Sequence, residues 1–362
     1  MTAWRVLFTM LTILVTTGTC AAESPSEIRW VNATSLRLEG QGWPGETRPF
    51  RRLPDRAEGK VPDKVWELSG NCAGLAVRFV SDSSEIHVRW TLSAPFTMNH
   101  MADTGISGLD LYVRRDGGWR WMAVGRPDGV ENEKLLVSGL PRERRELMLY
   151  LPLYNGLTRL EIGVPAGCLI EPAPAWPEGT KPIVFYGTSI VQGGCASRPG
   201  MAYPAILGRR LDLPSVNLGF SGNGKTEPEM ADLLAELDAA VFVIDPLPNM
   251  GAVPVEERIN YLLNVLRRKR PGTPVILVES YGNRGEPARS GRRPEDTSVN
   301  EEMRRAYQKA KPLWGGLLTL VEGRTLLGED CEDTVDGVHP TDLGFHRLAD
   351  ALEPALRKAL GR

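Results

Sequence analysis

The sequence predicts an all-β domain followed by an α/β domain built on a parallel sheet, and three observations support this. Residues 24 to about 165 contain short runs of alternating apolar residues between turn residues, which is typical of antiparallel strands. Residues 182–362 alternate near-continuous apolar runs with helical stretches, which is typical of a parallel sheet covered on both faces. The proline-rich residues 166–181 lie between the two halves and predict an extended linker.

The length of the chain indicates the number of domains, and its net charge bears on whether it binds nucleic acid. The chain has 362 residues, of which 42% are hydrophobic, and this length favours two domains over one. Its formal net charge of −2 gives no electrostatic case for binding nucleic acid, so we expect no nucleic-acid partner. The sequence leaves the oligomeric state open.

The first 22 residues resemble an export signal. Arg5 supplies a positive charge, residues 6–17 are uncharged and mostly apolar, and the small residues at 20–22 offer a cleavage site near Ala22. This apolar stretch is shorter than the roughly 20 residues that a membrane helix needs, and no later segment is long and apolar enough. We therefore expect a periplasmic or extracellular protein without a membrane span, and the sequence leaves a lipid anchor at Cys20 open.

The N-terminal half is predicted to be a β-sandwich or jelly roll. Its predicted strands are residues 75–80, 85–92, 109–113, 119–124, 147–153 and 157–164. The turn residues Asp116, Gly117 and Gly118 predict a hairpin between the third and fourth of these strands. Seven tryptophans lie between residues 24 and 176, and we expect most of them in the core, with Trp119 and Trp121 on one face of their strand.

The C-terminal half is predicted to alternate strands and helices. The predicted strands are residues 182–189, 215–220, 240–247, 274–280 and 317–322, and the predicted helices are residues 201–212, 226–239, 254–270, 298–311 and 341–360. Open parallel sheets place their functional sites at the carboxyl ends of the strands. Polar residues at these strand ends are therefore the candidates for a site.

Three polar residues, one after a strand and two before the last helix, form the pattern of a serine hydrolase. Ser189 follows the first predicted strand of the α/β half, while Asp336 and His339 lie three residues apart before the last helix. An imidazole can remove the proton of a serine hydroxyl while a carboxylate orients the ring and stabilises its protonated form. The three-residue spacing lets the carboxylate reach Nδ1 and leaves Nε2 facing the serine. A surface turn that caps the last helix is the alternative explanation for Asp336 and His339.

Two further strand ends carry candidates for binding an oxyanion. The second strand runs into the glycine-rich residues 217–224, where the backbone can approach a ligand closely and direct an N–H group at it. Asn249 follows the third strand in a loop stiffened by Pro246 and Pro248, so its amide can act as another donor. Each feature taken alone is also compatible with an ordinary turn.

The ordered set of a serine, a glycine, an asparagine and an Asp-x-x-His motif resembles the SGNH hydrolases, also called the GDSL esterase/lipase superfamily. The resemblance implies a flavodoxin-like sheet, with Ser189 as nucleophile, His339 as general acid/base and Asp336 as the group that orients it. It also implies an oxyanion hole made of the backbone N–H groups of Ser189 and Gly222 and the side chain of Asn249. Thr188 replaces the usual aspartate of the serine motif, and the residues around Asn249 depart from the usual Gly-x-Asn-Asp.

A second motif extends the resemblance to the N-terminal half. Residues 108–112 read Gly-Leu-Asp-Leu-Tyr, which is similar to the Gly-x-Asp-Leu-Tyr motif in one branch of that superfamily. Together with the export signal, the resemblance implies a secreted esterase that removes acyl groups, acetyl in particular, from a glycan or a smaller ester. A lipase or thioesterase of the same superfamily and a non-catalytic carbohydrate-binding protein are the alternatives.

The remaining candidate residues have weaker patterns. His100 lies in an irregular loop and can contact the substrate, although an ordinary loop histidine is the alternative. No spacing of cysteines and histidines indicates a metal site, and we expect no cofactor. Four cysteines follow the signal, namely Cys72, Cys168, Cys195 and Cys331. The sequence leaves open whether they are free thiols or whether Cys195 and Cys331 form a disulfide bridge.

Overall fold

A computed structural model describes Met1, residues 27–291 and residues 293–362 of the chain. The predicted signal peptide, apart from Met1, and Cys20 lie outside the described residues. Within the described ranges, no helix combines the length and the hydrophobicity that crossing a membrane requires.

The N-terminal half consists mainly of short antiparallel strands. The strands are Ile28–Asn32 (β1), Arg37–Glu39 (β2), Ala76–Ser81 (β3), Ile86–Leu92 (β4), Leu109–Arg115 (β5), Gly118–Gly125 (β6), Glu131–Val137 (β7), Arg145–Tyr150 (β8), Leu157–Pro165 (β9) and Ile170–Pro172 (β10). Two short helices interrupt them, Asp63–Leu68 (α1) and Asp103–Ile106 (α2). The last strand, β10, lies inside the predicted linker and pairs with β3.

In the described part of the chain, these strands form two antiparallel sheets. One sheet has the order β1-β9-β4-β7, and the other has the order β10-β3-β8-β5-β6 with β2 beside β3. A single hydrophobic core contains side chains of both sheets, for example Val88 and Trp90 of β4 and Leu147 and Leu149 of β8. Because alternate residues of β4 are buried, one face of its sheet packs inward. The predicted antiparallel β domain is confirmed.

The tryptophans of this half are divided between core and surface. Trp43, Trp90 and Trp119 are buried, whereas Trp121 is 50% exposed. The prediction that Trp119 and Trp121 lie together in a core is therefore wrong. The pairing of β5 with β6 shifts register at Leu111, which breaks the regular alternation that the prediction assumed.

The C-terminal half forms a parallel sheet flanked by helices. Its strands are Ile183–Gly187 (β11), Ser215–Gly219 (β12), Val241–Asp245 (β13), Val275–Val278 (β14) and Leu318–Val321 (β15). Its helices are Ser189–Gln192 (α3), Tyr203–Leu211 (α4), Pro228–Leu234 (α5), Val255–Lys269 (α6), Glu286–Ser290 (α7), Ser298–Trp314 (α8) and Asp342–Ala359 (α9). The strand order β12-β11-β13-β14-β15 is the flavodoxin-like order that was predicted.

The parallel sheet is buried on both faces. In β11, Val184 and Tyr186 belong to one hydrophobic core, while Ile183 and Phe185 belong to the other. Trp43 and Leu53, from the N-terminal half, pack into the first of these cores. The two halves of the chain therefore share apolar packing, which fixes the β domain against the parallel sheet.

The Gly-x-Asp-Leu-Tyr motif holds the two halves together. The buried carboxylate of Asp110 accepts hydrogen bonds from Arg198 Nη1 (2.8 Å), the Gly200 amide (2.8 Å) and Trp121 Nε1 (2.9 Å). The hydroxyl of Tyr112 lies 2.6 Å from Arg198 Nη1 and accepts from it. Arg198 and Gly200 belong to the segment that follows α3, so the motif anchors the chain directly after Ser189.

Candidate active site

Ser189 lies in the sharp turn between β11 and α3. It is the first residue of α3, and the Thr188 side chain caps this helix by accepting a hydrogen bond from the Ile190 amide. The turn depends on Gly187, because a Cβ atom there would lie 2.0 Å from the carbonyl oxygen of Asp245. The neighbouring strand therefore packs directly against the backbone that presents the serine.

Ser189, His339 and Asp336 form a continuous chain of contacts. Ser189 Oγ lies 3.0 Å from His339 Nε2, and His339 Nδ1 lies 2.7 Å from Asp336 Oδ2. The other carboxylate oxygen of Asp336 accepts from the backbone amides of Val338 (3.0 Å) and His339 (2.7 Å). The structure thus brings together the three residues that the sequence predicted, across 150 positions of the chain.

The charge state of Asp336 determines the tautomer of His339. Partial burial acts to raise the pKa of Asp336, but hydrogen bonds from the backbone and ring of His339 and from Val338 outweigh it and lower the pKa to about 2. An ionised carboxylate can only accept, so Nδ1 of His339 carries the proton and Nε2 presents a lone pair to Ser189. This tautomer is the one that can accept the serine proton.

The loops after β12 and β13 meet beside Ser189. Gly222 has a φ angle of +69°, and a Cβ atom there would meet nothing within 4 Å, so this backbone is open to a ligand. Asn249 Nδ2 donates a 2.8 Å hydrogen bond to the carbonyl oxygen of Asn223 and keeps a second N–H. The two predicted oxyanion donors therefore belong to one connected pair of loops, and their role stays a prediction.

Side chains from both halves hold these loops. Gln192 Oε1 accepts from the Ser221 amide at 2.9 Å, and Gln192 Nε2 donates to the carbonyl oxygen of Leu153 at 3.0 Å. Arg52, which is 1% exposed, donates from Nη1 to the carbonyl oxygens of Gly219 (2.6 Å) and Asn217 (3.2 Å). Arg52 therefore supports the end of β12 just before Gly222.

Sequence reasoning did not identify Arg52. Burial lowers its pKa to about 10, and its hydrogen-bond partners are backbone carbonyls. No motif marks it, because an Arg-Arg-Leu segment is equally typical of a protein surface.

Two tyrosines contact the backbone of the site, and a buried aspartate ends β13. The Tyr154 hydroxyl lies 3.4 Å from the carbonyl oxygen of Ser189, and the Tyr281 hydroxyl donates to the carbonyl oxygen of Val338, next to His339. Asp245, at the end of β13, is buried and accepts a 3.1 Å hydrogen bond from Tyr203. Burial raises the pKa of Asp245 to about 7, only partly offset by that bond.

Comparison with known proteins agrees with this geometry. Residues 180–357 match the model of the GDSL-like lipase/acylhydrolase family, and residues 28–170 match the model for the N-terminus of SGNH-hydrolase-type esterases. A crystal structure from Bacteroides ovatus, described as a GDSL-like lipase, is 37% identical with a TM-score of 0.85, and the match covers 92% of this chain and 98% of that one. The chain belongs to the GDSL-like lipase/acylhydrolase family. It is a carboxylic ester hydrolase.

More distant structures share only the fold of this esterase. A salicylyl-acyltransferase from a tetracycline biosynthetic pathway is 20% identical with a TM-score of 0.73, covering 92% of this chain and 98% of that chain. A family two carbohydrate esterase from Clostridium thermocellum, in complex with cellohexaose, is 15% identical with a TM-score of 0.59, and the match covers 80% of this chain and 93% of that chain. No curated protein matches the sequence.

The β domain of the esterase contributes His100 to the site. The rings of His100 and His339 are in an edge contact with their centroids 5.5 Å apart, and His100 Nδ1 is buried without a hydrogen-bond partner among the described residues. One ring nitrogen of each histidine and Sγ of Cys195 lie within 4.8 Å of one another. Such a donor set can hold a metal ion, which the spacing along the chain did not indicate.

The cysteines of the described chain are free thiols. Cys72, Cys168 and Cys195 are buried and Cys331 is exposed. The structure therefore does not form the bridge between Cys195 and Cys331 that the sequence left open.

A cavity of about 750 Å³ lies along the β domain, and Ser189, Asp336 and His339 are not among the residues that line it. Its lining includes Tyr154, whose hydroxyl lies 3.4 Å from the carbonyl oxygen of Ser189, together with Ser221, Phe96 and Arg51. Its volume lies in the range of about 300–1,000 Å³ that is usual for ligand sites. Residues of both halves of the esterase therefore line this cavity.

Proposed function

We propose that this esterase is exported and removes short acyl groups, acetyl in particular, from carbohydrate esters. The observation that carries the proposal is the chain of contacts from Ser189 Oγ to His339 Nε2 at 3.0 Å and from His339 Nδ1 to Asp336 at 2.7 Å. This arrangement can turn a serine hydroxyl into a nucleophile near neutral pH.

The mechanism proceeds through an acyl-enzyme. Nε2 of His339 removes the Ser189 proton as Oγ attacks the ester carbonyl, and Asp336 stabilises the imidazolium that forms. The backbone N–H groups of Ser189 and Gly222 and the amide of Asn249 stabilise the negative oxygen of the tetrahedral intermediate. His339 then gives its proton to the departing alcohol oxygen as the carbon–oxygen bond breaks. A water molecule, deprotonated by His339, hydrolyses the acyl-enzyme and restores the free serine.

The cavity near the site supports a carbohydrate as the alcohol part of the substrate. The cavity along the β domain has room for a sugar unit, and the exposed Phe96 and the Arg51 guanidinium, which stacks 4.1 Å above Trp66, give it a mixed aromatic and polar lining. Aromatic and polar groups together suit the apolar faces and hydroxyls of a sugar. The predicted export signal and the carbohydrate esterase of similar fold support the same class of substrate.

Acetate release from a panel of acetylated glycans tests the proposal directly. The panel is run beside nitrophenyl esters of increasing chain length and an acyl thioester, with the Ser189→Ala variant as control. We expect acetate release from at least one glycan and faster turnover of acetyl than of long-chain esters. A preference for long chains or for the thioester would contradict the substrate class. Absence of any turnover from folded protein would instead support a binding protein.

A further inference from the structure

Three metal-binding atoms converge at the site from separate parts of the chain. His100 comes from the loop before α2, Cys195 from the turn after α3, and His339 from the loop before α9. A ring nitrogen of each histidine and Sγ of Cys195 lie within 4.8 Å of one another. A tetrahedral zinc ion with bonds of about 2.1 Å to nitrogen and 2.3 Å to sulfur would need its donors roughly 3.5 Å apart. Donor atoms that are now as much as 4.8 Å apart would therefore move closer by up to about 1.3 Å when the ion binds.

The two histidine donors are in a suitable state to bind a cation, whereas burial raises the pKa of the Cys195 thiol to about 12, so the metal ion has to displace that proton. His339 holds its proton on Nδ1 toward Asp336, so Nε2 carries a lone pair, and a metal ion bound there would replace the hydrogen bond from Ser189 Oγ. His100 Nδ1 is buried and has no partner among the described residues, so this atom gains a contact that the protein does not provide. Asp336 bonded to His339 is the carboxylate–histidine arrangement that commonly supports a ligating imidazole.

The backbone at Cys195 gives an independent indication that its position is specified. Its φ angle is +72°, in the left-handed region that residues other than glycine rarely adopt. The adjacent Gly194 cannot carry a side chain without rearrangement, because a Cβ atom there would lie 2.8 Å from the Tyr154 hydroxyl and 3.1 Å from His339 Cδ2. The turn that carries Cys195 therefore packs closely against Tyr154 and His339. Such strained positions are concentrated at functional sites.

We propose that His100, Cys195 and His339 form an inhibitory site for a thiophilic divalent cation such as Zn²⁺. Two imidazoles and a thiolate are the ligand types that select zinc and similar metals over magnesium or calcium. Binding displaces the Cys195 thiol proton, which is released to solvent, and the fourth coordination position is left to water or to the oxygen of Ser189. A metal bonded to Nε2 of His339 removes the acceptor for the Ser189 proton. Inhibition therefore rests on the proposed esterase function, whereas metal binding does not.

Cobalt and zinc titrations of the full mature chain test the site. Co²⁺ reports binding by the absorption of a cobalt–thiolate bond, and Zn²⁺ is titrated in the esterase assay and reversed with a chelator. The variants are Cys195→Ser, Cys195→Gly, which suits the left-handed backbone, and His100→Gln. Cys331→Ser is the matched control, because Cys331 is an exposed cysteine outside the cluster. Circular dichroism confirms that each variant is folded.

We expect the cobalt–thiolate band in the native chain and in Cys331→Ser, and its loss in both Cys195 variants. The Zn²⁺ concentration for half inhibition should rise by at least about tenfold in the Cys195 variants and in His100→Gln, since even changes outside the ligand sphere cost metal sites about 10–100-fold in affinity. Zinc inhibition that is equal in all variants, or the absence of a cobalt–thiolate band in the native chain, would overturn the proposal. A Cys195-dependent band without any esterase activity would refute the proposed function and leave the metal site standing.

Discussion

The buried carboxyl group of Asp245 makes the stability of this protein dependent on pH in a direction opposite to that of most carboxylates. Its pKa rises from 3.8 to about 7 because burial disfavours the charged form. Between about pH 4 and pH 7 the unfolded chain has lost this proton while the folded chain keeps it. Folding therefore takes up a proton, and the contribution of Asp245 to stability decreases as the pH rises through this window.

The size of this effect on the free energy of unfolding follows from the size of the Asp245 pKa shift. A shift of about three pKa units at about 1.4 kcal/mol each corresponds to a loss of roughly 4 kcal/mol once the pH exceeds the folded pKa. Asp245→Asn keeps the shape of the side chain and an oxygen that can accept from Tyr203, but it cannot ionise. The variant should match the native protein in stability near pH 4 and exceed it by up to about 4 kcal/mol near pH 8.

Urea unfolding at several pH values between about 4 and 8 measures this difference. Asp232→Asn is the matched control, because it removes the same charge from an exposed position in α5. The control should change stability by less than about 0.5 kcal/mol at every pH. A stability difference for Asp245→Asn that does not vary with pH, or that is largest in acid, would refute the reasoning.

Further predictions concern the site and its supports. Asn249→Ala should lower kcat about 10²–10³-fold with little change in KM, as measured by steady-state kinetics, and equal small losses in Asn249→Ala and Ser189→Ala would contradict the assignment. Asp336→Asn should lower kcat by about 10⁴, because the amide no longer fixes the productive tautomer, and an unchanged rate would exclude that role. Arg52→Met should destabilise the fold by about 1–3 kcal/mol in urea unfolding and should also lower kcat, because buried carbonyl groups before the Gly222 loop lose their hydrogen-bond donor. A loss of stability with a native kcat would show that Arg52 supports the fold but not the reaction. Gly200→Ala should cost about 1–3 kcal/mol, because its Cβ would lie 2.5 Å from the Tyr112 ring, and a neutral effect on the unfolding midpoint would show that the contact between the halves can relax.

The sequence predicted the parallel sheet well because its strands are nearly continuous apolar runs. Residues 240–247 were expected as a strand, and Val241–Asp245 forms one that is buried on both faces. The contacts of Ser189 with His339 and of His339 with Asp336 were also predicted, because Ser189 ends a strand and the three-residue spacing of Asp336 and His339 resembles the motif of the SGNH hydrolases. The pattern of apolar residues along the chain thus indicates directly where the strands of the sheet lie.

Features that depend on contacts between distant segments were not predictable in the same way. The helices α1 and α2 interrupt a half that was predicted to be all-β, and each is too short for helical periodicity to mark it. The burial of Arg52 depends on carbonyls more than 150 residues away in β12. The approach of His100 to His339 likewise arises only when the β domain packs beside the sheet. The local sequence pattern around each of these residues does not indicate which distant segment it will contact.

Covalent labelling with a fluorophosphonate, followed by mass spectrometry, tests the central claim most directly. This reagent forms a stable bond only with a serine whose hydroxyl is activated by a base. We expect one adduct, on Ser189, which is absent in Ser189→Ala and forms far more slowly in His339→Ala. An adduct on another residue, or no adduct on a folded native chain, would contradict the account.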